Sequence, residues 1–320
     1  MTEEMPFLRD LRLELQRRAR HDAAANIARQ RWRMAGPWGL AGGTAAVAAA
    51  AALAFTSGLD GGRVEPSRAN ALERAARAAQ TTSQPVPRAD QFFYVHSATT
   101  RLQAALRPGT REIEPQNIVL ITFDRRIWTS LERPGRLTEN ALSARYPAAP
   151  EKRADRFTAA PPVPAPDRLD PRAAYQLGGL KLTRRQLLDF PTDPATIYSR
   201  VRDADDSPAT PAAMFDQLGD ALRESPAPPA LRADLYRALA LVPGIELLGP
   251  RSDSRERAGT AVAFTAGGRR GELIFDPETG DMLAEQTVIT DPRQARLPLA
   301  AGTVIDETVY LRRAVTDTTR

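Results

Sequence analysis

Residues 34–59 form a run of 26 without a single charged side chain, bounded by Arg33 and Asp60. A helix needs about 20 apolar residues to cross the hydrocarbon core of a bilayer, because each residue rises only about 1.5 Å. The run is therefore read as one transmembrane helix. Gly36, Pro37, Gly39, Gly42 and Gly43 crowd its first half, so the dependable helix starts near Leu40 and carries Leu40, Val47, Leu53 and Phe55 as its larger apolar side chains. Trp32 and Trp38 stand at the entry side, where indole rings anchor at the headgroup level. Two alternatives stay open. A cleaved signal peptide is one, although 33 residues is long for the segment preceding its apolar core. A buried helix of a soluble domain is the other, against which the polar flanks argue.

The net charge of +5 takes its meaning from this run. Residues 1–33 hold eight arginines and five acids, whereas residues 60–320 carry 36 basic and 34 acidic side chains. The excess is thus concentrated beside one end of the span. The positive-inside rule places residues 1–33 in the cytoplasm and residues 60–320 outside. Only Lys152 and Lys181 among the 44 basic residues are lysine, and no basic stretch is interleaved with aromatics as in a nucleic-acid groove. Direct nucleic-acid binding is not expected.

Residues 1–33 read as a basic cytoplasmic helix. Leu8, Leu11 and Leu15 fall at i, i+3 and i+7, on one stripe. That stripe either rests on anionic headgroups or docks a cytoplasmic partner protein. Residues 60–90 read as a juxtamembrane helix over 70–80, with Ser67 as its cap, followed by a linker. Residues 91–320 read as one extracytoplasmic domain. Strands are expected over 92–102 and 117–131, followed by a proline-rich loop over 146–171. A helical block follows, in which Thr183, Asp193–Pro194, Thr210–Pro211 and Pro229 open four helices. Strands return at 245–248, 260–266, 271–276, 282–289 and 304–315, with Gly267–Gly268 as a hairpin turn. Strands, a helical block and strands again predict an α+β fold, an antiparallel sheet packed against helices and preceded by one transmembrane helix.

Signatures of chemistry are sparse. The chain has no cysteine, which removes disulfides, thiol nucleophiles and thiolate metal sites. No GxSxG, Walker, GxGxxG or HExxH pattern occurs. His21 and His96 are the only histidines, too few for a three-histidine metal site, and His96 is read as structural or exposed. Asp203, Asp205 and Asp206 lack the spacing of a calcium loop and are read as a solvated helix end. Residues 276–280, Asp-Pro-Glu-Thr-Gly, are a turn in which proline fixes φ and glycine supplies positive φ. No catalytic, cofactor or metal residue is expected, and the chain is expected to be non-enzymatic.

The order of parts carries a resemblance. An N-terminal Leu/Arg segment and a span are followed by Leu72-Glu73-Arg74-Ala75-Ala76 and Phe92-Phe93-Tyr94-Val95. Then come residues 188–194 (LDFPTDP), residues 231–239 (LRADLYRAL) leading to Pro243-Gly244, and residues 273–280 (LIFDPETG). This order resembles an uncharacterised actinobacterial family of single-span membrane proteins with a large outer domain. The family has no established activity to carry over. Its members look like partners of extracytoplasmic-function sigma factors, so the resemblance implies a cytoplasmic regulatory partner. The histidine and cysteine motif of zinc-type anti-sigma domains is missing here, which leaves the Leu8, Leu11 and Leu15 helix to make such a contact. The strand-rich part is also similar in pattern to the half-barrels of periplasmic lipoprotein carriers. The expected function is an envelope sensor or regulatory binding protein. A membrane-tethered binder of lipid or another apolar ligand is the alternative, and an envelope enzyme of unrecognised class the third.

The topology is directly testable. In right-side-out protoplasts, external protease should degrade residues 60–320 and spare residues 1–33; protection of the large domain would reverse the orientation.

Overall fold

The computed structural model describes residues 67–82, 86–106, 113–147, 167–169, 175–177, 180–204 and 208–319. The expected span with Leu40, Val47, Leu53 and Phe55, the anchors Trp32 and Trp38, and the Leu8, Leu11 and Leu15 stripe lie outside them. Among the described residues no helix is long and apolar enough to cross a membrane.

The first element is α1, Arg68–Thr81. The Ser67 side chain accepts from Asn70 N–H at 3.2 Å and satisfies one of the helix's orphan donors. Nine strands build one antiparallel sheet, beginning with β1 Phe92–Leu106, β2 Ile113–Thr129, β3 Gly135–Arg145 and β4 Asp167–Leu169. A small hairpin, β5 Tyr175–Leu177 with β6 Leu180–Leu182, leads into the helices. These are α2 Arg184–Leu188, α3 Pro194–Arg202, α4 Pro211–Arg223 and α5 Pro229–Ala240. The chain then returns to the sheet with β7 Glu246–Ser252, β8 Ala258–Ala266, β9 Arg269–Phe275, β10 Met282–Ile289, a short α6 Pro292–Ala295, and β11 Val304–Thr316. Strand order is β4-β3-β2-β1-β11-β10-β9-β8-β7. The last strand thus pairs with the first and fuses two meanders into one sheet.

The caps read from sequence form as expected. Asp193 and Thr210 accept from the N–H groups of Thr196 and Ala213, and Pro194 and Pro211 occupy the first helical positions, where no N–H is needed. Gly267 and Gly268 both have positive φ, as a two-residue hairpin turn of type I′ requires. The proline-rich stretch differs from its reading as one uninterrupted loop: residues 167–169 add a short edge strand to β3. β3 itself went unread, because its sequence, Gly-Arg-Leu-Thr-Glu-Asn-Ala-Leu-Ser-Ala-Arg, presents a mostly exposed face with little apolar alternation. It is held by pairing to β2 rather than by burial.

One face of the sheet carries the helices. Phe93, Val95, Ile127, Val262, Leu273, Phe275, Met282 and Tyr310 pack there with Ile197, Met214, Leu218, Leu231, Leu235, Tyr236 and Leu239. α1 belongs to the same core. Leu72, Ala75, Ala76 and Ala79 are fully buried, chiefly against α5. Glu73 joins the two helices through Arg237 at 2.9 Å, and Arg237 also reaches Asp234 at 2.7 Å. The Arg237 hydrogen bond holds the Glu73 carboxyl below its ordinary range, against an opposing burial effect. The helix read as a juxtamembrane extension is therefore packed into the domain it precedes.

The β9–β10 turn fixes this helical layer to the sheet. Gly280 has φ +68, and its carbonyl accepts from Tyr236 Oη at 2.9 Å and Arg232 Nη2 at 3.0 Å. A Cβ at this position would lie 2.6 Å from Ala75 O and Ala79 N of α1. Gly280→Ala should cost about 3 kcal/mol or more, from left-handed strain plus displacement of α1. Gly302→Ala, at φ +87 with open space around it, should cost only about 1 kcal/mol. Urea denaturation of the two variants checks the difference.

Candidate functional site

The helix-bearing face changes character along its strands. Phe93 and Val95 of β1 face the helices; two and four residues further on, the same face carries Ser97 and Thr99, both fully buried. Across the ladder Ser97 pairs with Arg125 of β2 and Tyr310 of β11, and Thr99 pairs with Thr308. Glu285 of β10 lies opposite Thr308. The result is a polar belt across the middle of a face that is otherwise apolar.

Helix α4 lays its own polar stripe on this belt. Asp216, Asp220 and Arg223 fall at i, i+4 and i+7, and Glu224 caps the helix end. Arg223 contacts both Asp220 and Glu285, and Arg125 contacts Glu224. Arg125 Nε also lies 3.0 Å from Glu139, although at an angle that makes this an ion pair rather than a hydrogen bond. Glu139 in turn takes both terminal nitrogens of Arg101, at 2.7 and 3.1 Å, and Arg101 lies over the Phe123 ring. Tyr310 donates to Glu285 at 3.1 Å, and Thr308 to Thr99 at 3.3 Å.

Three arginines thus meet five carboxylates in a largely dehydrated layer. Isolated charges there would be prohibitively costly, and even matched pairs recover the desolvation cost only when well placed. Asp216 shows the imbalance. It retains some solvent contact by area, yet enough protein surrounds it that burial pushes its carboxyl up to about 7, with Arg223 opposing and Glu285 reinforcing. Among the described residues, Ser97 Oγ, Arg101 Nε and Arg223 Nε have no hydrogen-bond partner. Such a layer disfavours an acyl chain.

The other face holds the histidine singled out in the sequence. His96 Nε2 lies 2.5 Å from Asp124 Oδ1, and Tyr94 stands between His96 and Trp128, with ring centroids 6.4 and 4.8 Å away. Alternation puts His96 and Ser97 on opposite faces, so they do not form a nucleophile–base pair. Asp203 pairs with the neighbouring Arg202 at 2.8 Å, and among the described residues no group of three metal-ligating side chains converges.

Sequence reading missed the belt, yet its trace is present. Val119, Ile121, Phe123, Arg125 and Ile127 share one parity, and Arg125 is the single charge among them. A charge on an otherwise apolar strand face must find a partner.

No protein-family model and no curated protein matches the chain. Among solved structures it is similar to "The complex structure of Pseudomonas aeruginosa MucA/MucB", at 11% identity and a TM-score of 0.24, covering 78% of this chain and 56% of that one. It is also similar to "Crystal structure of MucB in complex with MucA(peri)", at 12% identity and a TM-score of 0.23, covering 78% and 55%. The chain spans little more than half the length of the chains it matches. Superpositions this loose transfer neither partner nor function.

Asp216 gives a signed prediction. A carboxyl raised in the folded state holds its proton between about pH 4 and 7 while the unfolded chain has released it, so its contribution to stability falls as pH rises through that window. Asp216→Asn should match the parent near pH 4 and be the more stable protein at pH 8; denaturation midpoints at the two pH values test this.

Proposed function

We propose that this chain is a non-enzymatic, single-span envelope protein that regulates by binding. Its N-terminal segment holds a cytoplasmic regulatory protein of the sigma-factor class through Leu8, Leu11 and Leu15, and its outer domain recognises a polar partner. The observation that favours this reading over a carrier of apolar ligands is the filling of the helix-bearing face. Its apolar part is occupied by the protein's own α1 and α3 to α5, and the part beyond is a belt of ion pairs around Arg101, Arg125 and Arg223. A carrier of apolar ligands requires an apolar cavity there. Buried charge networks contribute less to stability than to discrimination, because a mismatched partner leaves charges unpaired.

The reading is tested on the full-length protein extracted from membranes after photocrosslinking from positions 11 and 12. A defined cytoplasmic protein should be captured, and Leu8→Asp with Leu15→Asp should reduce it at least tenfold. Lipid at one equivalent per chain in the same extract, or capture unaffected by the double substitution, would sink the reading.

A further inference from the structure

Two arginines beneath the helical layer share one carboxylate. Arg313 of β11 lies beside Tyr310, its guanidinium carbon 4.6 Å from the ring centre. Its Nε donates to Arg223 O at the end of α4, at 3.3 Å, and its Nη1 to Met282 O at 3.0 Å. The residue keeps some solvent contact, yet its Nη2 is buried and has no hydrogen-bond partner among the described residues. Arg232 of α5 is 3% exposed. Its Nη2 donates to Gly280 O and pairs with Asp281 at 2.8 Å, while its Nη1 is likewise buried without a partner among the described residues.

The two guanidinium groups are anchored on one short segment. Their acceptors, Gly280 O and Met282 O, belong to residues two apart, at most about 7 Å along the chain. Burial disfavours the charge on Arg313, and Arg232 adds to that by repulsion. Among the described residues Asp281 is the carboxylate that offsets it, and Asp281 already pairs with Arg232. The other acids nearby are engaged elsewhere: Asp276 accepts from Glu278 and Thr279 N–H, and Asp220 and Glu285 pair with Arg223. Carbonyl dipoles, including that at the end of α4, soften the excess without cancelling a full charge. A guanidinium does not escape by losing its proton. The layer therefore holds one positive charge in excess and two buried donor nitrogens unmatched, an arrangement that is costly without a counterion.

We propose that one small monovalent anion of the halide class binds between Arg232 Nη1 and Arg313 Nη2. One negative charge balances the excess. The ion is small because both nitrogens are shut off from solvent, which leaves no path for a bulky or hydrated anion. Bound there, it joins α5 to β11 beside Gly280. The unfolded chain does not hold the two arginines together, so ambient chloride stabilises the fold by mass action.

The test uses the full-length chain at constant ionic strength, with sodium gluconate replaced stepwise by sodium chloride. Chloride should raise the thermal midpoint saturably, by about 3 °C at tenfold its dissociation constant. The chain should also broaden the chloride-35 magnetic resonance, and excess bromide should reverse the broadening by displacement. Arg313→Gln keeps an amide donor but removes the charge, and should abolish both effects. Arg312→Gln, at the exposed neighbouring position, should retain both. If Arg313→Gln does not fold, Arg313→Lys serves instead: it keeps the charge without the second nitrogen, and should weaken the halide response on the order of tenfold. Identical midpoints in chloride and gluconate overturn the proposal. So does a halide response that the Arg313 variant retains at full strength.

Discussion

The carbonyl of Gly280 is the point at which the helical layer and the sheet become one body. Tyr236 and Arg232 converge on that single acceptor, and α1 passes over the same residue so closely that no side chain fits. Burying the Tyr236 ring without a partner for its hydroxyl would be costly; the turn carbonyl removes that cost and fixes the position of α5. α5 in turn holds α1 through Leu72, three alanines and the Glu73–Arg237 pair. The small side chains of α1 serve close approach, and the positive φ of the turn aims the carbonyl inward. Each feature depends on the others.

The belt around Arg125 and Arg223 obeys a different logic. Elsewhere on this face, apolar contacts are interchangeable in kind, and Leu or Met would fill the space. In the belt each charge requires a particular opposite charge, so α4 has few alternative positions. Removing one partner of such a pair typically costs about 3–5 kcal/mol because the other is left buried and alone. Asp216 marks the side of the layer where carboxylates exceed arginines. The fold thus combines a generic apolar half, which stabilises, with a specific polar half, which discriminates.

Much of the local structure was legible. The N-caps Ser67, Asp193 and Thr210, the Gly267–Gly268 hairpin and the Met282–Ile289 strand form where spacing placed them, because each depends only on neighbours in sequence. β3 and β4 were not legible. They lie at one edge of the sheet and are little buried, so no alternation is imposed on them; pairing to β2 supports β3, and pairing to β3 supports β4. The belt was only half legible. Arg125 is visible as an inward charge, but Glu139, Glu224 and Glu285 lie 14, 99 and 160 positions away, and no periodicity links them.

The sequence by itself determined an uncharged run long enough to span a bilayer, the asymmetry of charge across it, the helix starts, and an α+β order of elements. These follow from local sterics, hydrogen bonding and hydropathy, which act over a few residues. Only the tertiary structure decided that β11 pairs with β1, that the helix after the run is part of the core, and that three arginines and five carboxylates share one layer. Each of those depends on approach between distant segments, where the outcome is set by fit and by the cost of burying an unpaired charge.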